Sequence, residues 1–280
     1  MGVNFGRIFG RAFRYPFRRD VFFLLFAVQV IFGVSTWFVV GYFTEGMGGL
    51  EAFGRIVSFI AYLIPLIILN WVVMIFLMGA YFENSAFFYR GKEKGIFESL
   101  RIAKERFFPL LLTLVIIILV LLACFGGPLF LVILLPSLAM QTGSSLPVAI
   151  LVGGLIWLLT GAVIGAVVFF MTFLAPVSCV IDRLGPLESI RKSWALIRRN
   201  KLNTFLFLLI FFVIYTAISM IGSVPDIIPL LMGSELPMLS LQSFSLTIFR
   251  TFFNVYLFLF TYSSNVNFYL AVRRRGLFRS

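Results

Sequence analysis

The chain has 280 residues, of which 61% are hydrophobic, and a formal net charge of +12 at pH 7. It contains no His and only two Cys, so it lacks the ligands of a zinc cluster and the pairs of a disulfide framework. Neither a phosphate-binding glycine loop nor a Gly-x-Ser-x-Gly elbow is present, and we therefore expect no enzyme, no metal and no cofactor.

Long apolar runs without charge indicate a polytopic membrane protein. One helix needs roughly 20 residues to cross a hydrocarbon core of ~30 Å. Asp, Glu, Lys and Arg are absent from five runs, 21–44, 56–82, 107–181, 202–225 and 251–272. The third run is long enough for two spans, so the predicted fold is all-α, a bundle of six transmembrane helices. The predicted spans are approximately 21–43, 56–82, 107–125, 147–179, 203–222 and 249–272.

Basic residues are concentrated on alternate connections between these spans. Of the 23 Lys and Arg residues, all but Arg55 and Arg250 lie in 1–20, 83–106, 182–203 and 273–279. Cytoplasmic loops retain Lys and Arg, so we predict that both termini are cytoplasmic. This placement favours anionic lipid over nucleic acid as the partner of the positive charge.

A repeated tetrapeptide indicates internal symmetry. Glu98-Ser99-Leu100-Arg101 recurs as Glu188-Ser189-Ile190-Arg191, and each copy opens a basic segment that leads into a span. Each of those spans is predicted to break at a Gly/Pro cluster, at 126–128 and at 222–225. A weaker third copy lies near Phe9. We therefore predict three repeats, approximately 1–90, 91–181 and 182–280, each an amphipathic surface helix followed by a transmembrane hairpin.

The three surface segments have helical periodicity, with apolar and basic residues on different faces. Such helices lie in the membrane interface. The predicted apolar stripes of the second and third segments are Ile96, Leu100, Ala103 and Phe107, and Leu187, Ile190, Trp194 and Ile197. The basic residues predicted to contact anionic lipid or a partner are Arg7, Arg11, Arg14, Arg18, Arg101, Lys104, Arg191, Lys192, Arg198 and Arg199. The alternative is that these helices only anchor and orient the hairpins.

Two details of the third segment indicate a helix start. Pro186 suits the first turn of a helix, and Glu188 near that N-terminus favours the helix dipole. Glu188 is also spaced to pair with Lys192 four residues later.

The outer connections 129–140 and 224–232 are apolar, contain proline and are too short to span. Interfacial and re-entrant helices are both compatible with them, and the interfacial form is favoured because re-entrant backbone must be buried in protein or line a cavity.

Polar residues inside the spans are uncharged, which weakens a proton-coupled mechanism. Asn70 lies near the middle of the second span. The last span carries Thr247, Thr251, Asn254, Thr261 and Asn265 along one helical face. Asn70, Thr251, Asn254 and Asn265 could line a polar path, but hydrogen bonding between helices is the favoured interpretation.

One stretch of the chain resembles a known architecture. Ala175-Pro176-Val177, followed by the basic segment 185–200 with Ser193-Trp194 at its middle, is similar to a motif of prokaryotic six-span proteins. These include the membrane domain attached to some glycerophosphoryl diester phosphodiesterases and related uncharacterised bacterial and archaeal families. The resemblance implies a multi-pass protein of a prokaryotic cytoplasmic membrane, and it carries over no catalytic residue.

Together these patterns predict a non-enzymatic membrane protein that serves as a subunit or accessory scaffold. A protein partner or a homo-oligomer is compatible with this role. The alternative is a transporter or lipid-handling carrier with an uncharged polar path through the bundle.

Overall fold

The computed structural model describes residues 3–44, 52–92, 94–142, 148–223 and 241–276. Within these ranges the secondary structure consists of nine α-helices and one 3-10 helix, without a strand. The α-helices are α1 Phe5–Arg14, α2 Arg19–Thr44, α3 Ala52–Tyr89, α4 Ile96–Thr142, α5 Val148–Thr172, α6 Ala175–Ile181, α7 Pro186–Arg199, α8 Lys201–Gly222 and α9 Leu241–Gly276. The 3-10 helix, Tyr15–Phe17, joins α1 to α2.

Five helical segments are long and apolar enough to cross a membrane, and the fourth of them runs from α5 through a turn into α6. The segments are Asp20–Val40, Ser58–Tyr89, Ile96–Cys124, Ile156–Ile181 and Lys201–Gly222. They overlap the first five predicted spans, so the all-α prediction is confirmed and five segments have the length and composition of membrane spans. The sixth predicted span lies within α9, which does not meet the same criterion.

The predicted break at 126–128 is wrong. Helix α4 continues through Gly126-Gly127-Pro128 and on to Thr142, so 129–140 is part of the same helix. A proline removes a single backbone donor, and inside a membrane no water competes for the neighbouring groups. Glycine and proline therefore do not have to end a membrane helix. The second predicted break is correct, because α8 ends at Gly222.

The second predicted surface helix is not a separate element. Its residues form the first turns of α4, which runs without interruption into the apolar segment. The first and third predicted surface helices are separate helices, α1 and α7. The connection 224–232 lies outside the described residues.

The chain divides into two compact units, 1–107 with 202–280, and 108–201. In the first unit α9 packs against α1, α2 and α3. A stack of aromatic rings connects its helices, with Phe207 of α8 lying 4.2 Å from Phe268 of α9 and 5.5 Å from Phe9 of α1, measured between ring centroids. Gly222 lets α8 approach α9 closely, since a Cβ there would be 3.1 Å from the Cβ of Phe253.

In the second unit α7 packs against α5 and α6. Pro186 occupies the first turn of α7, as predicted, and the Glu188 carboxylate accepts a hydrogen bond from the Gly185 amide at 3.4 Å. This contact caps the N-terminus of α7 and orients the negative charge favourably to the helix dipole.

Candidate functional site

The inner face of α7 is formed by small polar residues. Ser189 and Ser193 are fully buried together with Ile197. The Ser193 hydroxyl donates to the Met171 carbonyl at 2.8 Å, near the C-terminus of α5, where helix carbonyls have no partner within the helix. The Ser178 hydroxyl of α6 donates to the Ser189 carbonyl at 3.1 Å. Short side chains with satisfied hydroxyls thus let α7 lie close against α5 and α6.

The residues of the predicted apolar stripe of α7 are divided between two faces of the helix. Ile197 is buried, but Leu187 is 59% exposed and Trp194 is 43% exposed. Leu187 and Trp194 face outward because the serines occupy the close contact of α7 with α5 and α6. An outward apolar face on a helix with basic residues is the arrangement expected at a membrane surface.

The outward face of α7 forms an open groove of about 660 Å³. Ile190, Trp194 and Ala195 contribute its apolar lining. Arg191 and the pair Arg198–Arg199 contribute guanidinium groups, and all three arginines are exposed. Each guanidinium can bind a phosphate through two parallel hydrogen bonds, so the groove combines an apolar floor with anion-binding groups.

Lys192 is separate from this groove. Its ammonium forms an ion pair with Asp182, whose side chain is only 4% exposed. The predicted pairing of Lys192 with Glu188 is therefore wrong, since the structure gives Glu188 the role of helix cap. Glu83 of α3 also forms an ion pair, with the Lys94 ammonium at 3.6 Å.

The predicted basic face of α1 is divided between solvent and protein. Arg7 and Arg14 are exposed, whereas Arg11 donates to the Tyr89 carbonyl and lies 5.0 Å from the centroid of the Tyr89 ring. Arg18 donates to the Lys94 carbonyl at 3.3 Å and pairs with Asp20 at 3.4 Å. Two of the four arginines thus fix α1 and the 3-10 helix to neighbouring segments. In α4, Arg101 and Lys104 are both exposed.

A buried polar network connects α1, α3 and α9 in the first unit. The Tyr15 hydroxyl donates to Asn84 Oδ1 at 3.2 Å, and the Ser85 hydroxyl donates to Ser263 Oγ at 3.2 Å. Asn267 Nδ2 donates to the Ile8 carbonyl at 3.1 Å. All five side chains that take part are fully buried. Burial, and to a smaller extent the neighbouring Tyr81, raises the pKa of Tyr15 well above its usual value, so Tyr15 is a neutral donor here.

Sequence patterns did not predict this network. Its signal was present in the uncharged polar residues at the basic end of two apolar segments, Asn84 and Ser85 in one and Ser263 and Asn267 in the other. Ser263 and Asn267 lie one turn apart on α9, and only the packing of α9 on α1 and α3 shows why these residues are buried together.

The four residues of the predicted polar path have different surroundings. Asn254 is exposed, Asn265 is half-buried, and the Thr251 hydroxyl lies beside Gly33 while donating to the Thr247 carbonyl at 2.8 Å. Asn70 Oδ1 is buried and has no hydrogen-bond partner in the described part of the chain. The buried polar residues of α9 are instead Ser263, Ser264 and Asn267.

A family model for a domain of unknown function, DUF7847, matches residues 90–272. The chain belongs to the DUF7847 family. The DUF7847 match begins just before α4 and extends through α7 and most of α9, so it includes the outward-facing groove. The chain matches no curated protein and no solved structure. The resemblance to the membrane domain of glycerophosphoryl diester phosphodiesterases stays a hypothesis.

Proposed function

We propose that this DUF7847 protein is a non-enzymatic protein of a prokaryotic cytoplasmic membrane, an accessory or scaffold subunit that presents basic helices to the anionic cytoplasmic leaflet. The observation that carries the proposal is the orientation of α7. Its serines face the protein, while Trp194 and the arginines of the groove face outward. A soluble protein has little reason to expose such a face, whereas an interfacial helix requires it.

The proposal includes six spans with both termini in the cytoplasm. Helix α9 is less apolar than the other five because it carries buried polar residues such as Ser263 and Asn267. Helix α9 packs against α1, α2 and α3, so the Ser263 hydroxyl and the Asn267 amide nitrogen find partners within the protein and need not face lipid. The distribution of Lys and Arg supports the cytoplasmic assignment of the termini.

Three repeats are part of the same proposal. The repeated tetrapeptides place Ser99 and Ser189 at equivalent positions, and both serines are fully buried. Each hydroxyl donates to a nearby carbonyl at the start of its helix, Gly95 at 3.4 Å and Pro186 at 2.7 Å. The burial of both serines at the start of the second and third predicted repeats supports a common origin for these repeats.

A specific observation also favours the carrier alternative: Asn70 Oδ1, in the apolar part of α3, is buried without a hydrogen-bond partner among the described residues. Against it, Asn254 lies on an exposed face. In a deletion strain with an uptake defect, an Asn254→Leu or Asn70→Leu protein that accumulates but does not complement would support the carrier. Full complementation by both variants is the result expected of the scaffold.

Gentle purification from native membrane, followed by mass spectrometry of the associated molecules, tests the scaffold role directly. We expect a second polypeptide at a fixed ratio to this chain. Recovery of the chain alone, or with only a bound metabolite, would contradict an accessory role.

A further inference from the structure

An aromatic groove of about 420 Å³ lies in the first unit between α2 and α9. Phe22, Phe23 and Phe26 line it from α2, and Phe252 and Tyr256 line it from α9. The 3-10 helix closes one end through Phe17. This groove shares no residue with the groove on α7.

We infer that the aromatic groove holds one hydrocarbon chain of an anionic membrane lipid from the cytoplasmic leaflet. The inference rests on the proposed function for the orientation of α2 in the membrane. It adds to that function a lipid-binding site in the first unit, at a depth that the surface arginines do not reach.

The chemistry of the lining selects a hydrocarbon occupant. Among the described lining residues the single hydroxyl is that of Tyr256, which points to the protein and donates to the Phe13 carbonyl at 3.5 Å. The other lining groups are aromatic rings and the proline ring of the 3-10 helix. A polar ligand would lose its hydrogen bonds with water and gain none here.

The rings of the groove are held in place by one another. Phe22 lies 5.1 Å from Phe252 and 5.8 Å from Phe26, measured between centroids, so the two helices share one aromatic wall. Phe17 lies 5.7 Å from Tyr256 in an edge-on contact and is still 74% exposed. Phe23 is 64% exposed. The groove is therefore a formed concave surface that still has a large apolar area to cover.

The depth of the groove matches one leaflet. Phe22, Phe23 and Phe26 lie in the first two turns of the apolar segment Asp20–Val40, within roughly 10 Å of its start at 1.5 Å per residue. Arg14 ends α1 and is exposed, so a cation precedes the 3-10 helix on the cytoplasmic side. A lipid whose chain enters the groove would have its phosphate at the level of this arginine, which favours an anionic head group.

Photo-crosslinking in vesicles tests the site. The probe is phosphatidylglycerol with a diazirine in one chain, added to phosphatidylcholine vesicles that contain the full protein. We expect adducts to concentrate on peptides that contain Phe17–Phe26, several-fold above the part of α2 around Phe38. Phe38 is a matched reference, because it lies on the same helix and is 61% exposed. Equal labelling at both places would overturn the inference, since labelling would then follow exposure alone.

Competition and substitution complete the test. Excess unlabelled phosphatidylglycerol should suppress labelling of the groove more strongly than phosphatidylcholine does, and equal suppression would overturn the anionic preference. Phe23→Ala should reduce groove labelling several-fold, while Phe38→Ala should leave it unchanged. If Phe23→Ala does not fold, the wild-type competition alone decides. Failure of the proposed membrane orientation is distinguishable, because labelling would then be lost along the whole of α2.

Discussion

The two buried serines of α7 determine which side of that helix faces the protein. Ser193 is fully buried and donates to the Met171 carbonyl at 2.8 Å. Ser193→Leu would leave this carbonyl unpartnered and force a larger side chain into a close contact, at a cost of about 2 kcal/mol or more. We expect the melting temperature in detergent to fall by roughly 4–8 °C, since 1 kcal/mol corresponds to about 2–4 °C in a chain of this size class.

Ala195→Leu is the matched control for this substitution. Ala195 is two residues away on the exposed face of the same helix. The melting temperature of this variant should stay close to that of the wild type, and an equal loss in both variants would contradict the assigned orientation of α7.

Because of Tyr15, the stability of the first unit should decrease with pH in the alkaline range. The folded protein holds the Tyr15 proton more tightly than the unfolded chain does, because burial raises the pKa of Tyr15. The stabilisation is fully present below the unfolded pKa of ~10 and is lost as the pH rises above it. Tyr15→Phe also leaves Asn84 Oδ1 without its donor, at a cost of about 1–3 kcal/mol.

The measurement is the difference in melting temperature between the wild type and Tyr15→Phe from pH 7 to pH 11. We expect the wild type to be more stable at pH 7 and the difference to shrink above pH ~10, where the unfolded wild type ionises. The other tyrosines are present in both proteins, so their contributions cancel in the difference between the two melting temperatures. A difference independent of pH would contradict the assigned burial of the hydroxyl.

The sequence predicts where the helices begin and end better than which side of each helix contacts the protein. The start of α7 at Pro186 follows from local chemistry, as does the end of α8 at Gly222. Periodicity places Ile197 and Trp194 in one stripe, yet Ile197 is buried in the protein and Trp194 faces outward. A helix between protein and membrane has two apolar environments, so its large apolar side chains can belong to either.

The course of α4 is a second case in which local signals are insufficient. Gly126-Gly127-Pro128 is a strong break signal in water, where freed backbone groups are hydrated at once. Helix α4 continues through it. The same residues thus have different consequences in a membrane, where a helix is the form that satisfies the most backbone groups.

The arginines on the outward face of α7 should determine the preference for anionic lipid. Each surface arginine contributes about 1 kcal/mol of attraction to an anionic leaflet, so removing Arg191, Arg198 and Arg199 together should cost about 3 kcal/mol. In the variant with all three arginines replaced by glutamine, we expect the ratio of bound phosphatidylglycerol to bound phosphatidylcholine to fall at least tenfold. Native mass spectrometry measures this ratio. Arg250→Gln is the control, since Arg250 is exposed outside the four basic segments and should leave the ratio unchanged. A loss of similar size in the control would assign the effect to net charge rather than to α7.

The absence of charge from residues 251–272 of α9 indicates a membrane span, whereas the apolarity of this helix is lower than that of the other five spans. The polar side chains of the same segment make its helix fall short of the criterion that five other segments meet. Packing explains the difference, because Ser263 Oγ accepts from the Ser85 hydroxyl and Asn267 Nδ2 donates to the Ile8 carbonyl within the first unit. Such long-range partners cannot be read from the sequence of one segment.

Cysteine accessibility distinguishes six spans from five. Both native cysteines, Cys124 and Cys179, would first be replaced by alanine. Single cysteines would then be placed at Lys92, Ser223 and Arg274, which lie in the turn after α3, at the end of α8 and near the end of α9. With a membrane-impermeant maleimide on intact cells, six spans predict labelling at position 223 and protection at 92 and 274 until the cells are permeabilised. Labelling at 274 together with 223 would place the end of α9 outside and contradict the sixth span, while labelling at 92 would invert the whole topology.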